Sequence, residues 1–176
     1  MKQARISFVD VESAPTLAWA WRRFKENISL DQVVHDGYIM CVCWKWLGKA
    51  AVGAARSMKS GWLKTDDKDS ALAAWKVLDE ADVVVAHNAK GFDIPMLNAA
   101  FVRHGFPPPS PYKVVDTLDV AKKVFRFPSN KLEGLCRFFG FGGKNKTSFS
   151  LWTRCIEGDE IAWKKMINYC KGDVRK

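Results

Sequence analysis

Three short stretches carry the residue types from which a carboxylate-rich site could be built. They are Asp10-Val11-Glu12, the run Asn88 to Asp93, and Tyr169 with Asp173. Asp10 and Glu12 close the segment Ile6-Ser7-Phe8-Val9-Asp10-Val11-Glu12, which has strand character. Strand side chains alternate faces, so the two acids point one way and Val9 and Val11 the other. Carboxylates held that close repel and raise each other's pKa unless a cation lies between them. The competing reading is a solvated turn at a strand end, flanked by Ser13 and Pro15. Asp93 precedes Ile94-Pro95 and a helical run, which places it at a helix N-cap among exposed N–H groups. Tyr169 and Asp173 are four apart, hence one turn from each other on a helix face. Any amphipathic helix can hold such a pair, so it says little alone.

The elements that must position these groups follow from hydrophobic pattern. Tyr38 to Leu47 is a long apolar strand, and Gly48-Lys49 joins it by a tight hairpin to a third strand over 50–55. A helix is expected over 70–81, capped by Asp69 or Asp67, with Leu72, Trp75 and Leu78 on its buried face. Asp82 to His87 reads as a strand buried on both faces, followed by a helix from Ile94 to about His104. After a proline-rich connector, Lys113-Val114-Val115 forms another strand, and Asp116-Thr117 opens a helix through about Phe125. Further helices are expected over 131–139, ending at Gly140, and from about Gly158-Asp159 onward, with Trp163, Ile167, Cys170 and Val174 as the buried stripe. This order suits an α/β fold: a mixed five-stranded sheet with helices on both faces. The first three strands would be antiparallel, the first one central, and the last two parallel to it.

The chain of 176 residues has room for one domain with a proper core. No apolar run is long enough to span a membrane, and the N-terminus leads into the first strand without a signal-peptide region. Both point to the cytosol. The five cysteines (Cys41, Cys43, Cys136, Cys155, Cys170) form no Cys-x-x-Cys and fit reduced thiols better than a zinc site. A formal net charge of +9 suits a polyanionic partner, although basic surfaces also serve solubility. The segment from Lys122 to Lys146 is notably basic, and Lys144 and Lys146 in its glycine-rich loop are the stronger candidates for phosphate contacts. Trp19 to Lys25 mixes aromatic and basic residues without clean periodicity. It reads equally as a single-strand contact surface and as a loop tacked down by buried tryptophans.

Taken together, Asp10-Val11-Glu12, Asn88-Ala89-Lys90-Gly91-Phe92-Asp93 and Tyr169-Cys170-Lys171-Gly172-Asp173 resemble, in order and spacing, the motifs of the DEDD exonucleases. These belong to the ribonuclease H-like superfamily, and the tyrosine marks the DEDDy branch. Asp116-Thr117 and the helix carrying Leu132 and Leu135 also fit. The resemblance covers nearly the whole chain, residues 1–176, as a single exonuclease domain. It implies metal-dependent removal of nucleotides from a 3′ end of single-stranded or frayed DNA. Two divalent ions, Mg²⁺ or Mn²⁺, would activate water and hold the leaving oxygen. By the same resemblance Asp10, Glu12, Asp93 and Asp173 would be metal ligands. Tyr169 would orient the attacking water, with positioning favoured over proton abstraction by tyrosine's ordinary pKa near 10. Asn88 and Phe92 would shape the nucleotide pocket, and His87 would be a strand-end residue.

One departure stands out: the chain ends at Lys176, soon after Asp173, where the family usually continues. With no polymerase domain, the resemblance points to a stand-alone or detached proofreading-type exonuclease, of the kind found in phages and bacteria. A phage-encoded chain would work in the host cytoplasm, on DNA replication or repair, in possible association with a DNA polymerase. Three alternatives remain open at this level: an exoribonuclease on the same fold, an inactive nucleic-acid- or polymerase-binding module, and an endonuclease or resolvase. The intact acid set argues against the second, and the Tyr-x-x-x-Asp helix against the third.

Overall fold

The computed structural model describes residues 3–57, 66–142 and 147–176. Its main sheet has five strands: β1 (Ile6–Ser13), β4 (Ile39–Trp46), β5 (Val52–Arg56), β6 (Val83–Ala86) and β7 (Lys113–Asp116). They lie in the order β5-β4-β1-β6-β7, so β1 is central. β4 is antiparallel to β1 and to β5, whereas β6 and β7 run parallel to β1. This is the mixed α/β sheet that the pattern predicts. β2 (Leu17–Ala18) and β3 (Val33–His35), which hydropathy does not announce, make a separate two-stranded sheet within the segment that connects β1 to β4.

Among the described residues six α-helices accompany the sheet: α1 (Lys68–Glu80), α2 (Asp93–Arg103), α3 (Thr117–Val124), α4 (Leu132–Phe138), α5 (Phe149–Ile156) and α6 (Glu160–Asp173). Helices bury both faces. On one side Val9, Val11, Ile39, Val42 and Val84 meet Ala71, Ala74, Val77 and Leu78 of α1 and Leu97, Ala100 and Phe101 of α2. On the other, Met40, Cys41 and Cys43 meet Leu151, Cys155 and Ile156 of α5 and Ala162, Trp163, Met166 and Cys170 of α6. The five thiols are all buried and free. α5 was not expected from sequence; its eight residues carry only a short apolar stripe.

Three local expectations need correction. The inner stripe of α1 is Ala71, Ala74, Val77 and Leu78, while Leu72 and Trp75 are only half-buried. Small alanines there let the helix lie close on the sheet, and the indole N–H of Trp75 donates to the Pro107 carbonyl at 2.6 Å. Asp67 occupies the N-cap position of α1, yet its side chain makes no capping bond. Its buried carboxylate instead accepts from the Ile39 N–H at 2.9 Å, from Arg103, and contacts His104 Nε2 at 2.6 Å. These bonds tie β4, α1 and the end of α2 together; a buried carboxylate is tolerated because it is paired and hydrogen-bonded. The inner stripe of α6 is Ala162, Trp163, Met166 and Cys170, with Ile167 half-buried. Among the described residues no helix is long and apolar enough to cross a membrane.

Candidate active site

β6 pairs with β1 only at Ile6, Ser7 and Phe8. Beyond Phe8 the β6-facing edge of β1 is therefore available to other groups, and the acidic end of the strand lies there. Val9 and Val11 are buried against α1 and α2, which turns Asp10 and Glu12 to the opposite face, toward α6. Asp173 is the last residue of α6. Carboxylate oxygens of Asp10, Glu12 and Asp173 all lie within 4.8 Å of one another. α6 is held in this place partly by Cys170, whose Sγ donates to the Asp10 carbonyl oxygen at 3.4 Å. Burial keeps that thiol well above its ordinary pKa, so it stays a neutral donor.

Asp93 reaches the same strand from the other side. It is the first residue of α2 rather than its N-cap; Phe92 takes the cap position without a side-chain bond. The freed carboxylate turns back to β1, where Oδ1 accepts the Val11 N–H at 3.1 Å, between the two acids of the strand. Only 3% of Asp93 is exposed. Burial pushes its pKa up to about 7, and the charge of Asp10 adds to the rise. Its own N–H and that of Val11 oppose it. A carboxyl in this condition binds a proton readily, and a cation would favour its ionised form.

The turn leading to Asp93 is built by Asp116, at the end of β7. Its carboxylate accepts from Asn88 N and Lys90 N, both at 3.0 Å, and also caps α3 through Leu118 N at 3.0 Å and Asp119 N at 3.4 Å. Asn88 sits in the left-handed region at φ 70, a conformation asparagine tolerates better than most residues. A Cβ on Gly91 would lie 2.7 Å from Asn88 Oδ1, so any larger residue would displace the Asn88 side chain. Asn88 is exposed and Phe92 is 38% exposed. Sequence reasoning noticed Asp116 without giving it this role. The signal was available: an acid at a strand end before a helix is a capping pattern, and its second oxygen needed donors.

A cleft of about 210 Å³ opens at the acid cluster, lined by Asp10 and Asp173 with His87, Leu135, Phe139 and Phe141 among others. His87 does lie just past the end of β6, and its Nδ1 is 3.0 Å from Thr117 Oγ1. Phe139 and Phe141 were not anticipated as lining residues. Tyr169 stands one turn before Asp173 on α6, but it borders a different hollow, with Ser148, Arg154 and Lys165. Its ring meets Trp152 of α5 edge-on at 6.2 Å. Lys144 and Lys146 lie outside the described residues.

The donor set is all oxygen: three clustered carboxylates and a fourth buried close by. Neither cysteine nor histidine belongs to the cluster. Such a set fits a hard divalent cation and not zinc in a thiolate site. The only other such cluster of three possible ligands among the described residues, Asp66, Asp67 and His104, has its Asp67 carboxylate engaged by Arg103 and the Ile39 N–H.

Residues 47–176 match the RNase_H_2 family, described as RNase_H superfamily. The chain belongs to the RNase_H superfamily. The matched stretch includes Asp93, Tyr169 and Asp173 and begins after β1, so Asp10 and Glu12 lie ahead of it. Protein NEN2 of Arabidopsis thaliana is 31% identical over 101 residues, covering 53% of this chain and 21% of that protein. The chain thus spans about a fifth of that relative's length. Among solved structures, the family B DNA polymerase of the hyperthermophilic archaeon Pyrobaculum calidifontis is similar at TM-score 0.68. The two are 15% identical, and the match covers 99% of this chain and 23% of the polymerase chain. At that identity the likeness is one of fold.

Proposed function

We propose that residues 1–176 form a single metal-dependent 3′→5′ exonuclease domain of the DEDDy type, acting on single-stranded or frayed DNA ends. The observation that carries the reading is the juxtaposition of carboxylate oxygens of Asp10, Glu12 and Asp173 within 4.8 Å, with buried Asp93 of α2 hydrogen-bonded to β1 at Val11, between the strand's two acids. Membership of a superfamily of nuclease type, and a fold shared with a DNA polymerase chain, support it.

Two divalent ions, Mg²⁺ or Mn²⁺, would supply an activated water and stabilise the leaving 3′-oxygen. Asp10, Glu12, Asp93 and Asp173 would hold them. Ionising Asp93 requires release of the proton that burial favours, so loading is coupled to pH. Tyr169 positions the attacking water through its hydroxyl. For this its ring, which meets Trp152 edge-on, has to turn from the hollow it borders toward the acid cleft. Asn88 and Phe92, on the turn held by Asp116, bound the terminal nucleotide, while Phe139 and Phe141 wall the cleft on the α4 side. Lys144 and Lys146 contact the phosphate backbone, in keeping with a net charge of +9. The chain works in the cytoplasm, alone or beside a DNA polymerase.

The test uses matched 5′-labelled single-stranded DNA and RNA with Mg²⁺, Mn²⁺ or EDTA, comparing the wild type with Asp10→Ala. A ladder shortening from the 3′ end of DNA, absent in EDTA and in the variant, is the expected result. Faster shortening of RNA would move the substrate to the exoribonuclease reading. Tight binding without cleavage under either metal would leave a binding module.

A further inference from the structure

Adjacent antiparallel strands need only a two-residue turn to join them. Between β1 and β4 this chain instead inserts residues 14–38, far more than the join requires, and gives them strands β2 and β3 of their own. The insert is an ordered arm. Its base is closed by Ala14 N donating to the Tyr38 carbonyl at 2.9 Å, and Gly37 allows the approach, since a Cβ there would meet Ala14 O at 2.7 Å. Its middle is zipped by β2 and β3 and by Gln32, whose amide donates to Trp19 O at 2.9 Å and to Glu26 Oε1 at 3.1 Å. The tip is tied down by Glu26, which accepts Trp21 N–H at 3.0 Å and Arg22 N–H at 2.5 Å.

All that organisation displays aromatic rings to solvent. Trp19 is 76% exposed, Trp21 92% and Phe24 82%. This excludes the loop tacked down by buried tryptophans. Arg22, Arg23 and Lys25 alternate with these rings, with no acid between Trp19 and Lys25. The nearest carboxylate, Glu26, is occupied with backbone N–H groups and kept below its ordinary pKa chiefly by that of Trp21. Alternating flat rings and cations suit a strand of stacked bases with flanking phosphates. The arm also springs from the right place. It leaves β1 two residues after Glu12, and Trp19 follows Glu12 by seven residues, so it lies within about 25 Å of the acid cluster.

We propose that the arm of residues 14–38 is a docking surface for single-stranded DNA. Trp19, Trp21 and Phe24 stack on bases upstream of the 3′ end held at the acid cluster, and Arg22, Arg23 and Lys25 bind the intervening phosphates. The inference rests on the exonuclease reading for the identity of the strand. The arm grips substrate beyond the terminal nucleotides, so its contribution grows with substrate length.

The experiment compares the wild type with Trp19→Ala/Trp21→Ala and with Arg22→Gln/Arg23→Gln. Affinity for a labelled dT12 is read by fluorescence anisotropy in EDTA, and cleavage of dT12 and of a dinucleotide is read with Mg²⁺. The aromatic variant, which loses two stacking rings, should bind dT12 at least roughly thirtyfold more weakly. Its KM for dT12 should rise while dinucleotide cleavage is unchanged. The arginine variant should flatten the salt dependence of dT12 binding by about 1.4 in log–log slope. Wild-type affinity in both variants overturns the proposal and leaves the arm to a protein partner. An equal loss on dT12 and dinucleotide also overturns it, because it marks a general structural effect. Failure of the wild type to cleave either substrate counts against the exonuclease reading, while the EDTA measurement still decides the arm.

Discussion

Replacing Asp93 with Asn should make the metal-free protein more stable at neutral pH and less responsive to metal. In the folded chain burial and Asp10 raise the Asp93 carboxyl from 3.8 to about 7. Below about pH 4 the group is protonated in both states and contributes no pH dependence. Between pH 4 and 7 the folded protein keeps a proton that the unfolded chain has released, so stability falls as pH rises. Above pH 7 both states are ionised and the full penalty persists, roughly 4 kcal/mol for a displacement of that size. Asparagine keeps an oxygen to accept the Val11 N–H and carries no charge. At pH 8, without metal, the variant should therefore melt about 8 to 16 °C above the wild type, the difference vanishing near pH 4. Saturating Mn²⁺ should raise the wild-type melting temperature far more at pH 8 than at pH 5, and the variant's little at either. Calorimetric melts across pH 4–8, with EDTA and with Mn²⁺, give all of these values. A variant that melts with the wild type at pH 8, or a wild type indifferent to Mn²⁺ there, would refute the coupling of buried acid to cation.

Tyr169→Phe should lower kcat by tenfold or more with KM nearly unchanged, because the edge contact with Trp152 survives and only the hydroxyl is lost; unchanged kcat in steady-state assays on a labelled oligonucleotide would remove the positioning role. Asp116→Ala removes the acceptor for four backbone N–H groups and should cost about 2–4 kcal/mol in denaturant unfolding. It should also raise KM through the loosened 88–93 turn, and full stability in the variant would show that water replaces the carboxylate. Asp10→Ala should abolish metal-dependent cleavage and leave circular dichroism unchanged, since the side chain contributes acid to the cluster and little to either core; loss of folding would mark it as structural.

The sheet was legible because its strands differ in kind. β1 alternates, β4 is apolar but for Lys45, and β6 is a short valine run. Each pattern maps onto one position in the sheet. The acids were legible for the same reason: alternation along β1 fixes Asp10 and Glu12 on one face, and α6 needs only its buried stripe to aim Asp173 at them. What periodicity could not supply were contacts between segments distant in sequence. Asp93 and Asp67 both look like helix caps locally, yet each spends its carboxylate on the N–H of a strand, Val11 in one case and Ile39 in the other. Propensity describes the helix end, whereas the competing donor is delivered by tertiary packing. The arm shows the opposite failure. Its tryptophans have the composition of a core, and only the bonds from Glu26 and Gln32, which fold the loop without burying the rings, leave them outside. Local acids and amides here do what a hydrophobic core does elsewhere, and that frees the aromatic faces for a ligand.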